Sequence, residues 1–256
     1  MIAKSKEEIE ALREGGKRLA RHLRILSQMV KPGITGRELE DKAREMVKAE
    51  GDRLAFYGHT ERKGDKPYPS GLCLSVNDVI VHSPASDNGA LIQDGDVVCL
   101  DFGIKHKGFY TDHAVTVIAG TPKSPHDEEL VRGTYEALAA GIAEARVGNT
   151  TGDIGYAVQK IAEKYNFGYP KNLSGHGVGI KVHEEPHVPN FGEPGRGTKL
   201  VDGLVIAIEP MMTLGKGELF VDADGHSYRT KDGSCTAHAE HTVLVTKNGP
   251  EILTKE

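Results

Sequence analysis

Apolar residues recur at helical spacing in two stretches that each follow a glycine-containing turn. In KPGITGRELEDKAREMVKAEG, from Lys31, and RVGNTTGDIGYAVQKIAEKYNFG, from Arg146, a Thr-Gly pair precedes the pattern. The buried faces of the two predicted helices carry Leu39, Ala43 and Val47 in the first and Ile154, Ala157 and Ile161 in the second. Residues 5 to 30 combine helical spacing with many charges and predict a further, amphipathic helix.

Short apolar runs between the helices are typical of strands, and four of them begin or end at an acid. DGDVVCLD ends at Asp101 and DGLVIAIE ends at Glu209, each seven residues after the first aspartate of its turn. DHAVTVIAGTP begins at Asp112, and EHTVLVTKNGP begins at Glu240. We therefore expect buried strands that present a carboxylate at one end.

These features form an ordered duplication, which also includes two histidine-ended segments. SVNDVIVHSP ends near His82, and SGHGVGIKVHEEP runs through His183. Chance similarity would explain one matched pair, whereas four pairs in the same order favour a repeated unit. The pattern predicts one α+β catalytic domain, 1–256, with pseudo-symmetric halves of about 1–122 and 123–256. We expect an antiparallel sheet covered by helices, with a hairpin at the HKG turn and the acids near the central axis.

Composition narrows the class of protein. Apolar residues make up 38% of the chain and charged residues 27%, enough for a hydrophobic core, and the net charge of −5 gives no reason to expect nucleic acid or membrane as a partner. Cys73, Cys99 and Cys235 have no CxxC spacing, so neither a disulfide framework nor a cysteine zinc site is indicated. The sequence shows no signal-peptide pattern and no long apolar segment. We therefore expect a cytoplasmic protein.

Four convergent strand-end acids need protonation, arginine partners or a divalent metal, because isolated buried charges are costly. No arginine lies beside them in sequence, and His176 in SGHGVG is flanked by glycines that allow close approach. One imidazole with several carboxylates suits Mn, Fe(II), Co or Zn. The predicted ligands of a two-ion centre are Asp101, Asp112, His176, Glu209 and Glu240.

Two ions about 3.5 to 4 Å apart can share a water and lower its pKa toward about 7, which makes hydrolysis of a carbonyl compound the leading reaction class. His82 and His183 are the expected outer groups, able to donate hydrogen bonds to a substrate carbonyl, with a purely structural role as the alternative. The remaining histidines, including His59, His106, His126 and His187, are predicted to be surface residues.

At these motifs the sequence resembles the methionine aminopeptidases of the pita-bread metallopeptidase family. LDFGIKHKGFYTD, SGHGVGIKVHEEP, VIAIEPM and AEHTVLVTKNGPEILT occur in the order of that family. The resemblance implies that Asp112 and Glu240 bridge both metals, that Asp101 binds one, and that His176 and Glu209 bind the other. It also implies that Glu209 handles the proton of the attacking water and that His82 and His183 contact substrate.

The same resemblance places Tyr68 and Cys73 in the substrate pocket, and it shows three departures. Leu173, Val182 and His226 stand where aromatic residues are commoner in the family. An apolar, adaptable pocket for methionine is still compatible with Leu173 and Val182.

Smaller features select the branch of the family. The interval from His176 to Glu209 has no long insertion, which resembles the bacterial type I form rather than type II. Xaa-Pro peptidases usually carry an additional N-terminal domain, and they place Asp after the last acid and Arg two residues before it; here these positions are His241 and His238. The implied function is removal of N-terminal methionine from nascent proteins with a small second residue. We expect the protein to act as a monomer, with the N-termini of nascent chains as its partners. The helix from 5 to 30 either docks on the ribosome or, as we prefer, presents a solvated charged face.

Two alternatives remain open at the level of sequence. An Xaa-Pro dipeptidase or aminopeptidase of the same fold would cleave proline-containing substrates. A non-catalytic binding protein on this scaffold would be expected to lose ligands, whereas all five are present.

Overall fold

The computed structural model describes residues 1–60, 64, 66–85 and 91–256. Its helices are α1 (Lys6–Met29), α2 (Gly36–Ala49), α3 (Pro125–Ala143) and α4 (Thr151–Tyr165). Its strands are β1 (Arg53–Leu54), β2 (Leu72–Val76), β3 (Val79–Val81), β4 (Val97–His106), β5 (Phe109–Ile118), β6 (Ser174–Gly177), β7 (Glu184–Pro189), β8 (Val205–Ile208), β9 (Met211–Thr213), β10 (Leu219–Val221), β11 (Tyr228–Thr230), β12 (Thr236–His238), β13 (Glu240–Thr246) and β14 (Gly249–Ile252).

The predicted helices are present, and the first two begin at capping boxes. Ser5 accepts a hydrogen bond from the backbone N–H of Glu8, and the Glu8 carboxylate accepts from the Ser5 backbone. Thr35 and Glu38 repeat this arrangement at α2. None of the helices in the described part of the chain combines the length and apolar character that crossing a bilayer requires.

The predicted buried face is confirmed for α2 and needs a correction for α4. Leu39, Ala43 and Val47 are buried in α2. In α4, Ile154 is buried, but Ala157 and Ile161 are only partly buried. The buried row continues instead through Val158 and Ala162, because residues four apart follow the 3.6-residue period along one face.

A nine-stranded sheet lies at the centre, with the path β1-β4-β5-β13-β8-β6-β7; β2 pairs with β4 and β14 with β13. All its described pairs are antiparallel. The hairpin at HKG is confirmed: β4 and β5 pair from Val97↔Ile118 to His106↔Phe109, and Lys107 and Gly108 take positive φ in the turn.

Two groups of buried apolar residues cover the sheet. One joins α1 and α2 to β2 and β4, and the other joins α3 and α4 to β8 and β13. The sheet is continuous between them, since β13 pairs with β5 at Glu240↔Ala114 and His241↔His113. The division of one domain at about residue 122 stays a prediction.

The strand boundaries near the acids differ from the prediction in the first half. β8 ends at Ile208, directly before Glu209, and β13 begins at Glu240, as expected. Asp101 and Asp112, however, lie inside β4 and β5, because the ladder between these strands continues on both sides of each acid.

The histidine-ended segments are also not single strands. SVNDVIVHSP forms β2 and β3, separated by a turn in which Asn77 has a φ of 55°, and His82 follows β3 with a φ of 62°. SGHGVGIKVHEEP forms β6 and β7, and His183 lies in the connection between them. Positive φ at Asn77 and at Gly179 (135°) ends the extended conformation in both segments.

Candidate metal centre and substrate cavity

The fold brings the five predicted ligands together. They come from the middle of β4 and β5, from β6, from the end of β8 and from the start of β13. Two groups made up of these five residues have ligand atoms within 4.8 Å of one another: His176, Glu209 and Glu240, and Asp101, Asp112 and Glu240. Five residues far apart in sequence therefore form one cluster.

Strand register explains why three of the carboxylates meet. Asp101 in β4 and Glu240 in β13 are both paired with Ala114 of β5, which lies between them. Asp112 is two residues before Ala114 and therefore projects from the same face of the sheet. The small, fully buried side chain of Ala114 leaves the space above it to the three acids.

Burial and mutual repulsion disfavour charge on these three acids. Burial, followed by the charge of Asp112, raises the pKa of Asp101 well above its ordinary value. The pKa of Glu240 is raised in the same way, and burial raises the pKa of Asp112 to about 6. Without a neutralising cation, the cluster would hold protons near neutral pH.

Glu209 behaves differently because histidines surround it. Burial alone would raise its pKa, but the close polar contact with His238 and the positive charge of His176 lower it below the ordinary value. His176 Nε2 lies 3.4 Å from Glu209 Oε1 and 4.0 Å from Asp112 Oδ2. The Nδ1 atom of His176 lies 2.9 Å from the carbonyl oxygen of Gly177, which orients Nε2 toward the acids.

The donor set fits divalent metal ions. Asp101 Oδ1 and Glu240 Oε1 are buried and have no hydrogen-bond partner among the described residues. Ion pairs join His176 to Asp112 and to Glu209, and His238 to Glu209. Buried, mutually repelling carboxylates with free oxygens and one oriented imidazole suit Mn, Fe(II), Co or Zn.

A cavity of about 620 Å³ opens above the cluster. Tyr68, Cys73, His82 and His183 line it, as expected from the sequence, and so do Leu173 and His226. The Tyr68 hydroxyl donates to Cys73 Sγ at 3.0 Å, and the ring of His226 meets Tyr68 edge-on with centroids 5.4 Å apart. Val182 is buried in a cluster with Phe56 and Cys73.

His183, which was predicted to contact substrate, also lies close to the predicted metal ligands. Its ring centroid is 4.4 Å from that of His176, and its ligand atom lies within 4.8 Å of those of Asp112 and His176. It therefore borders both the cluster and the cavity.

Comparison with known proteins agrees with this geometry. The profile of metallopeptidase family M24 matches residues 10–247. The chain belongs to this family. A methionine aminopeptidase of Aquifex aeolicus is 44% identical over 256 residues, covering 98% of this chain and 97% of the relative.

Solved structures confirm the pita-bread fold. The methionine aminopeptidase of Thermotoga maritima has a TM-score of 0.92 and 38% identity, with complete coverage of both chains. The prolidase of Pyrococcus horikoshii has a TM-score of 0.77 and 25% identity, and the match covers 99% of this chain but 63% of the prolidase. The chain is thus a metallo-aminopeptidase of the methionine aminopeptidase branch, whose family implies divalent metal ions.

The prediction that the remaining histidines lie on the surface is only partly correct for this metallopeptidase. His126 and His187 are exposed. His106 is buried beside Asp52, with Nδ1 and Oδ1 2.7 Å apart, and His59 is half-buried with its ring centroid 5.4 Å from that of His183. His22, His113 and His238 are also buried. Side-chain burial here depends on contacts between distant segments, which local sequence patterns do not show.

Sequence reasoning also missed several residues of the cavity wall. The lining also includes His59, Thr60, Lys66, His187, Met211 and Tyr228. The segment from His59 to Lys66 has no apolar period from which its position could be predicted.

Proposed function

We propose that this chain removes the N-terminal methionine from nascent proteins and peptides with a small second residue. The observation that carries the proposal is the buried cluster of one imidazole and four carboxylates at the base of a cavity. The chain's membership of the methionine aminopeptidase branch supports the choice of substrate.

Two divalent ions would be held by Asp101, Asp112, His176, Glu209 and Glu240. Such ions supply a water of lowered pKa and polarise the carbonyl group of the scissile bond. Mn, Fe(II), Co and Zn all match the donor set.

The residues of the chain bind substrate and move the proton. Glu209, whose pKa is held low by its histidine neighbours, is charged and can accept a proton from the attacking water. His82 and His183, at the cavity wall beside the cluster, donate hydrogen bonds to the carbonyl oxygen as charge develops there.

The methionine side chain would lie against Tyr68 and Cys73. Burial raises the pKa of the Cys73 thiol well above its ordinary value, so this thiol stays neutral and offers an apolar surface. A small second residue is required because a bulky one would clash as the carbonyl before it approaches the ions that the carboxylates would hold at the cavity base.

The proposed setting is the cytoplasm, with the enzyme acting as a monomer on nascent N-termini and having no direct nucleic-acid partner. Docking on a ribosome through α1 stays a prediction. Several arginines of α1 already pair with acids of the same chain: Arg13 with Glu251, Arg18 with Glu14, Arg21 with Glu50 and Arg24 with Glu256. These internal pairs favour a solvated face.

A panel of peptides tests the substrate assignment. Metal-loaded protein is given Met-Ala-Ser, Met-Ile-Ser and the dipeptide Ala-Pro, and released amino acids are measured by mass spectrometry. We expect methionine release from Met-Ala-Ser at least about 100-fold faster than from Met-Ile-Ser, since a misplaced carbonyl costs this much, and no cleavage of Ala-Pro.

His176→Ala is the control, and it should abolish release. Cleavage of Ala-Pro alone would assign the chain to Xaa-Pro chemistry. Bound metal with no cleavage of any of the three would favour a binding protein.

A further inference from the structure

His238 is a buried histidine directly beside the predicted ligands. Its side chain is 1% exposed, and neither ring nitrogen has a hydrogen-bond partner among the described residues. Nε2 lies 3.4 Å from Glu209 Oε2. A buried polar ring without a partner is costly, so its position next to a carboxylate requires a reason.

The backbone around His238 is fixed. β12 pairs with β9, and His238 is the partner of Met211, two residues after Glu209. The backbone N–H of His238 donates to Thr116 Oγ1 at 3.1 Å, and its carbonyl oxygen accepts from the same hydroxyl at 2.6 Å. The imidazole is therefore held at one place relative to Glu209.

The two oxygens of Glu209 face two different histidines. Oε1 lies 3.4 Å from His176 Nε2, among the predicted ligand atoms, and Oε2 lies 3.4 Å from His238 Nε2. One oxygen thus faces the cluster of predicted ligands and the other faces His238.

We propose that His238 is a positioning residue, whose Nε2–H donates to Glu209 Oε2 and holds Oε1 in place for metal binding. The contact needs to shorten by only a few tenths of an ångström to become an ordinary hydrogen bond. Groups that orient a metal ligand in this way typically contribute 10- to 100-fold in metal affinity. This inference rests on the proposed metal centre.

Two substitutions of nearly equal length separate hydrogen bonding from packing. His238→Gln keeps an N–H donor near the position of Nε2, whereas His238→Met fills similar space without a donor. Each variant and the unmodified protein are stripped of metal and titrated with Co²⁺, and binding is followed by the visible absorption of the ion. The melting temperature of the metal-free proteins reports whether each variant folds.

We expect His238→Met to bind Co²⁺ about 10- to 100-fold more weakly with an altered absorption spectrum, and His238→Gln to remain within about 3-fold of the unmodified protein. With Met-Ala-Ser, the loss for His238→Met should appear in kcat and leave KM nearly unchanged, because His238 does not touch substrate.

Equal Co²⁺ affinity and spectra for all three proteins would overturn the role of His238 while leaving the metal centre intact. Equal losses in the folded Gln and Met variants would also overturn it, since packing would then be the cause. Failure of the unmodified protein to bind Co²⁺ would instead contradict the proposed function itself.

Discussion

Glu40 connects α2 to the start of β2 through a buried carboxylate. Its side chain is 1% exposed and accepts hydrogen bonds of 2.8 Å from Ser70 Oγ and from the backbone N–H groups of Gly71 and Leu72. Arg44, one turn later in α2, supplies its charge partner. Because Cys73 and Tyr68 flank this junction, Glu40 also stabilises the wall of the substrate cavity.

Glu40→Ala should therefore be strongly destabilising. It leaves the three donors buried without an acceptor, and we expect the free energy of unfolding to fall by about 3 kcal/mol. Urea unfolding followed by circular dichroism measures the change. Glu45→Ala, on the exposed side of the same helix, is the matched control and should change stability by no more than about 0.5 kcal/mol. Similar effects for both variants would show that the Glu40 contacts contribute little.

At the scale of residues, the sequence predicts the metal-binding side chains better than the side chains that position them. Asp101, Glu209 and Glu240 stand out because an acid at the edge of an apolar run is unusual. His238 gave no such signal: its role depends on a contact with Glu209, which arises only when β9 and β12 pair. Contacts of this kind are set by tertiary packing.

At the scale of elements, α1, α2 and α4 were predicted, whereas α3 was not and the strand limits were inaccurate. The start of α1 at Lys6 and of α2 at Gly36 follows from capping residues that act locally. The lengths of β4 and β5 depend on their partners, because β4 pairs with β1, β2 and β5 along its ten residues. This is why Asp101 and Asp112 lie within strands rather than at their ends.

The short antiparallel pair of β9 and β12 is the element that connects the two late ligands. β9 begins two residues after Glu209, and β12 ends two residues before Glu240. Thr116 of β5 binds β12 at His238 through both of its backbone hydrogen bonds. The pair thus positions Glu209 and Glu240 together against the strand that carries Asp112.

At the scale of the whole molecule, the order of motifs predicted the fold class, because repeated helix and strand signals require only local patterns. The nine-stranded sheet, which is continuous through β5 and β13, explains how the acids of both halves meet. Which strands pair across the centre could not be deduced from the pattern, since many antiparallel arrangements satisfy it.

The buried carboxylates make stability depend on both metal and pH. Burial raises the pKa of Asp112 to about 6, and the pKa values of Asp101 and Glu240 are raised as well. When folding raises the pKa of an acid, protonation of that acid stabilises the folded state. This contribution is fully present below the unfolded pKa of about 4 and is lost as the pH rises through the folded pKa. Metal-free protein therefore loses the contribution of Asp112 as the pH rises from about 4 to about 6.

We accordingly expect Mn²⁺ to raise the melting temperature by more at pH 7 than at pH 5. The ions neutralise the repulsion at pH 7, whereas at pH 5 they must compete with bound protons. Differential scanning fluorimetry at equal free Mn²⁺ measures both shifts, and a difference of 1 kcal/mol would correspond to about 2 to 4 °C. A shift at pH 5 that equals or exceeds that at pH 7 would contradict the electrostatic account of the cluster.

The most direct test of the central claim is methionine release from Met-Ala-Ser by metal-stripped protein, followed as Co²⁺ or Mn²⁺ is added in steps. If the five residues form a catalytic two-ion centre, stripped protein is inactive, activity rises with bound metal and levels off at two ions per chain, and Glu240→Ala stays inactive throughout. Full activity of stripped protein, or unchanged activity in Glu240→Ala, would contradict the account.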